Sequence, residues 1–344
     1  MKVHVTDLKL GDCLTTDTFN RVGLHILPRG TSLQKEEIAL LIRHSIDYVD
    51  IERSGGSEHP AFFKVEGNLQ AVLDLAVQGY ESIFLESLTQ GKFTASMVND
   101  TLQPLLESLE GQKDVVTLLL MLERDNVDAY NHSLQVGLLS YYLAGWLGHS
   151  KKEQYEISKA GYLHDIGKSQ LPASILDKEG ELTAEEQEEM RRHPEYGYGI
   201  IRRSLNDEIT AKVALQHHEF GDGSGYPRGC GRSEIHPYTE IVSVANVFIG
   251  LSTSNSQRQK SSYLSVLRQV RDMSFGQLNG NAVQALINHL MPNFIGKSVQ
   301  LSNGETGTII MNNPLDIFKP LVKVETSFRD LSKERDLVIE EMYI

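Results

Sequence analysis

The chain has 344 residues, of which 23% are charged, and 33 Lys and Arg face 46 Asp and Glu for a formal net charge of −13. This composition excludes collagen-like, coiled-coil and disordered chains, and the length predicts two or three structural units. The acidic charge argues against binding to polymeric nucleic acid, which needs a basic surface. A small phosphorylated ligand remains compatible, because one cationic pocket can lie within an acidic surface.

Targeting signals are not evident in the sequence. The N-terminal segment MKVHVTDLKLGDCL has charged residues where a signal peptide needs an apolar core. The richest apolar run, Val116–Leu122, is far shorter than the roughly 20 residues of a membrane span. The two cysteines, Cys13 and Cys230, cannot form a disulfide framework. We therefore expect a cytoplasmic protein with reduced thiols and no membrane contact.

Changes in residue pattern divide the chain into four segments. Strand-like runs around one helical run predict a small α/β module, and a loop rich in Ser and Gly then leads into a helical connector. The next segment has helical periodicity almost throughout, and the last has strand-like alternation on both sides of Asn303-Gly304, which predicts a type I′ hairpin. The boundaries are 1–55, 56–113, 114–292 and 293–344. The fold class is mainly α, a helical bundle with a small α/β N-terminal module and a short C-terminal β-hairpin extension.

Seven of the 12 histidines fall between His132 and His236. In the helix predicted around residues 131–147, His132 shares a face with the apolar Val136 and Leu139, and Asp128 lies one turn earlier. His164 and Asp165 follow the apolar face of the next helix, which we expect Gly167 to stop.

Four further polar residues are also predicted at helix ends or on inward helix faces. His193 precedes Pro194 at a predicted helix break, and the pair His217-His218 ends a helix just before a glycine-rich loop. Asn246 lies on the inward face of a later helix. A single inward histidine is more often a core residue than a ligand. The ordered set, however, predicts convergence of metal-capable groups in one cavity.

These residues resemble the HD-GYP family of cyclic-dinucleotide phosphodiesterases, a branch of the HD hydrolase superfamily. The resemblance covers about Asp114 to Arg258. Its segments are NHSLQVGLLSYYLA, LHDIGKSQLPASIL, LTAEEQEEMRRHPEYGYGII, HHEFGDGSGYPRG and IVSVANVFIGLSTS, of which HHE-x-x-DGSGYP is the most specific. The family fold is a helical bundle of the HD type that holds two or three metal ions.

The resemblance implies a role for each matching position. One metal would be held by His132, His164, Asp165 and the Asn246 position, and a second by Asp165, His193, His217 and His218. Asp128 matches a carboxylate ligand of an additional metal in some relatives. Lys168 would contact the scissile phosphate and act with Asp165 in catalysis. The loop residues Gly223, Gly225, Tyr226 and Pro227 would shape the pocket and contact protein partners, and Arg258 would bind substrate.

Such a centre would hydrolyse a cyclic dinucleotide, cyclic di-GMP or cyclic GMP-AMP, to a linear product. Two divalent transition metals close together, with a third possible, would activate water and bind the phosphodiester. Imidazole and carboxylate ligands without thiolates suit iron or manganese, and zinc or nickel is also compatible. A homodimer is compatible with the sequence.

The chain departs from the family on one side of the site. Asn246 stands where the family has its last aspartate ligand, Ile249 replaces a second aspartate, and Asn255 begins the segment that replaces the family's Arg-Pro-Tyr-Arg. Two functions are therefore considered: an active phosphodiesterase, and a degenerate domain that binds nucleotide or protein without turnover. A pure adaptor would contain no metal and would leave six buried polar groups unpaired, which costs about 1–3 kcal/mol for each.

Overall fold

The protein is described from a computed structural model. It describes residues 69–109, 111–122, 129–176, 178, 180–252, 263–313, 316–334 and 336–343, together with parts of residues 2–52. The chain divides into two compact units, Met1–Lys64 and Val65–Ile344.

The first unit contains short antiparallel strands. In one sheet β5 lies between β1 and β2, and in the other β3 pairs with β4. Leu14, Leu33, Leu41 and Ile51 are buried in its small core. The strands are β1 (Lys2–His4), β2 (Cys13–Leu14), β3 (Thr18–Phe19), β4 (His25–Leu27) and β5 (Tyr48–Glu52).

The second unit is built mainly from helices, which confirms the predicted mainly α fold. The helices are α1 (Leu69–Gln90), α2 (Ala95–Ser108), α3 (Val115–Leu122), α4 (Ala129–Trp146), α5 (Lys151–Leu163), α6 (Ala173–Leu176), α7 (Ala184–Met190), α8 (His193–Leu205), α9 (Glu208–Gln216), α10 (Pro237–Ser252), α11 (Tyr263–Met273) and α12 (Gly280–Leu290). Short 3₁₀ turns cover Ile166–Gln170, Arg232–Glu234 and Met291–Phe294.

Polar side chains fix where several of these helices begin. Ser150 and Glu153 form a capping box at α5, and Thr183 and Glu186 form another at α7. Asp207 accepts hydrogen bonds from two main-chain N–H groups at the start of α9. These caps satisfy N–H groups that have no partner within the helix, and they place the helix ends that carry the histidines.

Two apolar cores lie in the second unit. One joins α1 and α2 to α4, α5, α8 and α9 and includes Tyr80, Tyr162 and Ile200. The other joins α3, α4 and α10–α12 to the C-terminal strands and includes Phe248, Leu286 and Ile309. Helices α4 and α5 contribute to both cores, so the segment from His132 to His164 is held from two sides.

The C-terminal strands form one antiparallel sheet in the order β10-β6-β7-β8-β9. These strands are β6 (Ser298–Leu301), β7 (Thr306–Met311), β8 (Leu321–Val324), β9 (Ser327–Asp330) and β10 (Ile339–Tyr343). The hairpin at Asn303-Gly304 is present, but the predicted type I′ turn is wrong. The main-chain N–H of Gly304 bonds to Leu301 O, and only Gly304, at φ 84°, has a positive φ in this turn. The loop therefore takes the longer form in which a glycine follows the tight turn.

In the described part of the chain, none of the helices combines the length and the apolar character that crossing a bilayer requires.

Candidate metal centre

Imidazole and carboxylate groups from distant parts of the chain meet at the ends of α4, α5, α8 and α9. They form two overlapping groups whose ligand atoms lie within 4.8 Å of one another: Asp165, His193, His217 and His218 in one, and His132, His164 and Asp165 in the other. Asp165 belongs to both groups. Six of the predicted site residues are therefore brought together in the structure.

Asp165 lies at the centre of this cluster, and its side chain is only 4% exposed. Its Oδ1 lies 3.1 Å from His193 Nε2 and 3.5 Å from His217 Nε2. Its Oδ2 lies 3.3 Å from His164 Nε2 and 3.8 Å from His132 Nε2. The two carboxylate oxygens thus face different sets of histidines, which is the arrangement of a bridging ligand.

Lys168 contacts the same carboxylate. Its Nζ donates a hydrogen bond of 2.5 Å to Asp165 Oδ2 from the 3₁₀ turn that follows. The Lys168 side chain is 25% exposed, so it also borders the open side of the cluster.

Three of the histidine rings are oriented by the same local hydrogen bond. In each, Nδ1 donates to the carbonyl oxygen three residues earlier, which leaves Nε2 turned toward Asp165. The distances are 2.6 Å from His164 to Gly161, 2.8 Å from His193 to Met190 and 2.8 Å from His217 to Ala214. A carbonyl can only accept, so the Nδ1 proton is fixed and the neutral ring offers an Nε2 lone pair.

The donor set fits a divalent cation. His193 Nε2 and His217 Nε2 face each other at 3.1 Å, and two lone pairs at that distance repel unless a cation lies against both. Ligand atoms at right angles around an ion with bonds of about 2.1 Å are about 3 Å apart, which is the spacing observed here. In addition, His164 Nε2 and Asp165 Oδ1 are buried without a hydrogen-bond partner among the residues that the structure describes.

The protonation states also suit a cation. Burial lowers the pKa of His132 and of His217 to about 3, and neighbouring histidines contribute. Burial with His217 beside it holds the pKa of His218 well below its usual value. Burial alone would raise the pKa of Asp165, but His164 and Lys168 hold it well below its usual range. The neutral imidazoles of His132, His217 and His218 and the ionised carboxylate of Asp165 are the forms that bind metals.

The Asn246 corner is polar but uncharged. Asn246 Oδ1 lies 3.0 Å from His132 Nε2, so α10 does reach the second group. Ser243, one turn earlier on α10, donates a hydrogen bond of 3.0 Å to His217 O. Ile249 is fully buried in the apolar core and does not line the cluster.

The glycine-rich loop is held against the end of α9 by Glu219. This carboxylate is 2% exposed and accepts main-chain hydrogen bonds from Arg228 at 2.7 Å and Cys230 at 2.9 Å. The N–H of Tyr226 donates to His218 O, and the Tyr226 ring stacks on the His218 ring with centroids 4.5 Å apart. A Cβ at Gly225 would lie 2.4 Å from His218 O, so only glycine permits this contact.

Two other residues of the glycine-rich loop have unusual backbone conformations. Gly223 has φ 78° and Pro227 follows Tyr226 through a cis peptide bond. The loop thus places the Tyr226 ring, rather than a glycine or proline, beside the metal-capable histidines.

Sequence reasoning missed several supporting contacts. Gly167 does not stop the helix through a left-handed conformation but lies inside the 3₁₀ turn, where a Cβ would meet His193 O at 1.9 Å. Helix α1 braces the same region: Tyr162 donates to Ala76 O at 2.9 Å, and Gln170 donates to Ser87 O at 2.8 Å. The sequence signal for Gly167 is its place two residues after Asp165. The acceptors at Ala76 and Ser87 are main-chain carbonyls, which every residue has, so the sequence does not indicate them.

Three residues singled out in the sequence lie outside the described residues. They are Asp128, predicted as a ligand of an additional metal, Arg258, predicted to bind substrate, and Asn255.

A family model and several curated proteins match parts of this chain. A family model described as HD domain matches residues 115–275. The chain is 36% identical over 177 residues to a cyclic di-GMP phosphodiesterase of Thermotoga maritima, which covers 51% of this chain and 48% of that protein. It is 30% identical over 190 residues to 3′3′-cGAMP-specific phosphodiesterase 1 of Vibrio cholerae, and this match covers 54% of this chain and 44% of that protein. The chain thus spans about half the length of these relatives.

A solved structure shares the fold. It is a HDG"Y"P protein from Bdellovibrio bacteriovorus, with a TM-score of 0.55 and 17% identity, and the match covers 83% of this chain and 97% of that one. With the HD pair His164-Asp165 and the loop around Tyr226 in place, these matches support an HD-GYP domain across residues 115–275.

Proposed function

We propose that this protein is a metal-dependent phosphodiesterase that hydrolyses cyclic di-GMP or cyclic GMP-AMP to a linear dinucleotide. The observation that carries the proposal is the sharing of Asp165 between two histidine groups, with Lys168 bound to the same carboxylate. Relatives named for hydrolysis of these two nucleotides support the substrate class.

We propose that the described residues would hold two divalent ions, iron or manganese. His193, His217 and His218 would hold one ion with Asp165 Oδ1, and His132, His164 and Asn246 would hold the other with Asp165 Oδ2. Asp128 remains our prediction for a third ion. Bound divalent ions would activate water and offset the charge of the phosphate.

The protein's own groups complete the site. Lys168 would donate to a phosphate oxygen while its bond to Asp165 keeps the ammonium in place. The Tyr226 ring would form one wall, with Gly223, Gly225 and Pro227 setting its backbone path, and Arg258 would add a cation. Glu219 would act as a positioning residue, since it anchors the loop that carries Tyr226.

Metal analysis combined with a hydrolysis assay tests this function. The purified full chain is expected to contain iron or manganese and to convert cyclic di-GMP or cyclic GMP-AMP to the linear dinucleotide. Treatment with EDTA should remove activity, and Mn²⁺ or Fe²⁺ under reducing conditions should restore it. Bound metal without turnover of either nucleotide would contradict the enzyme and support a binding domain. A chain without metal would contradict both.

The neutral Asn246 favours the binding domain as the second candidate. Asn246→Asp would place a carboxylate 3.0 Å from His132 Nε2, where the present ligand carries no charge. We expect metal affinity to rise roughly tenfold or more, because a unit charge about 4 Å from a divalent ion contributes about 2 kcal/mol even in water. Isothermal titration of the metal-free protein with Mn²⁺ measures this change.

Asn281→Asp is the matched control, since Asn281 is exposed at the start of α12. If Asn246→Asp raises metal affinity and creates turnover in an inactive protein, the neutral corner is what limits activity. If both variants bind metal as the parent does, Asn246 does not contribute to a metal site.

A further inference from the structure

Arg191 lies in the turn between α7 and α8, two residues before His193. Its Cζ is 5.3 Å from the centroid of the Tyr226 ring. That ring stacks on His218 and lies 6.4 Å from the His193 ring. The Arg191 guanidinium is therefore next to the wall of the metal centre.

Arg191 differs from its neighbour in what it contacts. Arg192 donates to Glu189 at 3.0 Å and lies over the Tyr196 ring, whose hydroxyl donates to the same carboxylate. Arg191 is exposed and makes no ion pair within the described ranges, although the chain has 46 acidic residues. A guanidinium supported by an aromatic face keeps N–H donors available for an anion.

A cyclic dinucleotide presents two phosphates in one ring. The metal groups and Lys168 would engage the phosphate that is cleaved, and the Lys168 ammonium is already bonded to Asp165. The second phosphate needs a separate cation at the edge of the site, which must be fixed in place but not neutralised by a carboxylate. Arg191 meets both conditions through Tyr226.

We propose that Arg191 binds the phosphate of the cyclic dinucleotide that is not being hydrolysed. The inference rests on the proposed function, and it assigns a substrate-binding role outside the HD pair and the glycine-rich loop. Tyr226 connects Arg191 to the metal centre, since its ring contacts both Arg191 and His218, a proposed metal ligand.

Comparison of two substrates tests this role. Arg191→Ala is expected to raise KM for the cyclic dinucleotide about tenfold with kcat within about threefold, as loss of a charged contact to bound substrate predicts. Bis(p-nitrophenyl) phosphate has only one phosphate. The ratio of kcat/KM for the cyclic dinucleotide to that for bis(p-nitrophenyl) phosphate should therefore fall about tenfold. Arg191→Lys should recover part of the loss.

Two controls separate a specific contact from general charge. Arg192→Ala removes the paired neighbour, and Arg228→Ala removes another exposed cation of the glycine-rich loop. Both should keep the substrate ratio within about twofold of the parent. Equal effects of all three alanine variants, or equal losses on both substrates in Arg191→Ala, would overturn the proposal.

Equilibrium binding keeps this test separate from the activity itself. If the parent hydrolyses neither substrate, the proposed enzyme fails, and fluorescence anisotropy with labelled cyclic di-GMP then measures the role of Arg191. Weaker binding by Arg191→Ala than by Arg192→Ala would support that role. Equal binding by the two variants, or no binding by the parent, would refute it.

Discussion

Asp165→Asn is expected to remove bound metal and to lower hydrolysis of the cyclic dinucleotide by at least about a thousandfold. Among the described residues, this carboxylate is the one anion that both histidine groups share, and its two oxygens face different histidines. The amide keeps the shape but removes the charge that attracts both ions. It also leaves the Lys168 ammonium without its anionic partner. Elemental analysis and initial rates at saturating Mn²⁺ measure the two losses.

Asp272→Asn is the matched control for this variant. Asp272 is an exposed aspartate on α11, and within the described residues its carboxylate forms an ion pair only with the neighbouring Arg271. Its substitution should leave metal content and rate within about twofold of the parent. If Asp165→Asn retains stoichiometric metal and normal turnover, the shared carboxylate is not a ligand.

Gly167→Ala is expected to destabilise the fold by about 3 kcal/mol and to disturb the metal centre with it. The added Cβ would lie 1.9 Å from His193 O and 2.4 Å from the main-chain N of Gly197. Both contacts are with backbone, so no side-chain rotation relieves them. The first turn of α8 must move away from the 3₁₀ turn, and His193 moves with it. Chemical denaturation of the metal-free protein gives the stability change.

The same substitution at Gly250 separates a steric effect from helix propensity. Gly250 lies within α10, and a Cβ there would meet nothing within 4 Å. Gly250→Ala should stabilise the protein by about 0.5–1 kcal/mol, because alanine loses less backbone entropy in a helix. A Gly167→Ala protein as stable as the parent would mean that α8 does not pack so closely on the turn after Asp165.

The sequence predicted the placement of those side chains that both form the local pattern and line the candidate metal centre. Helical spacing placed His132 on an inward face, and the Pro after His193 predicted the break at which α8 begins. The pair His217-His218 was predicted at a helix end, and α9 does end at Gln216. Each of these predictions depends on fewer than about ten consecutive residues, over which backbone geometry is nearly regular.

Contacts between distant segments could not be read in the same way. The role of Gly167 depends on how closely α8 approaches, which local sequence does not encode. Asn303-Gly304 carried the signal of a tight hairpin, but hairpin register also depends on how β6 and β7 pack on the core, and the loop is longer than predicted. Glu219 stands in the HHE motif, but its bonds to residues 228 and 230 follow only from the path of the loop.

The bonds from three Nδ1 atoms to carbonyls three residues earlier bear on how this site can change during evolution. Each ring is aimed by its own stretch of main chain, so substitution of the side chains around it leaves its orientation intact. The rings of His193 and His217 are thus oriented without a side chain of α10, whose Ser243 contacts only the His217 carbonyl. Exchange between asparagine and aspartate at position 246 would leave these Nδ1 bonds in place, so divergence of this kind can alter one proposed metal position at a time.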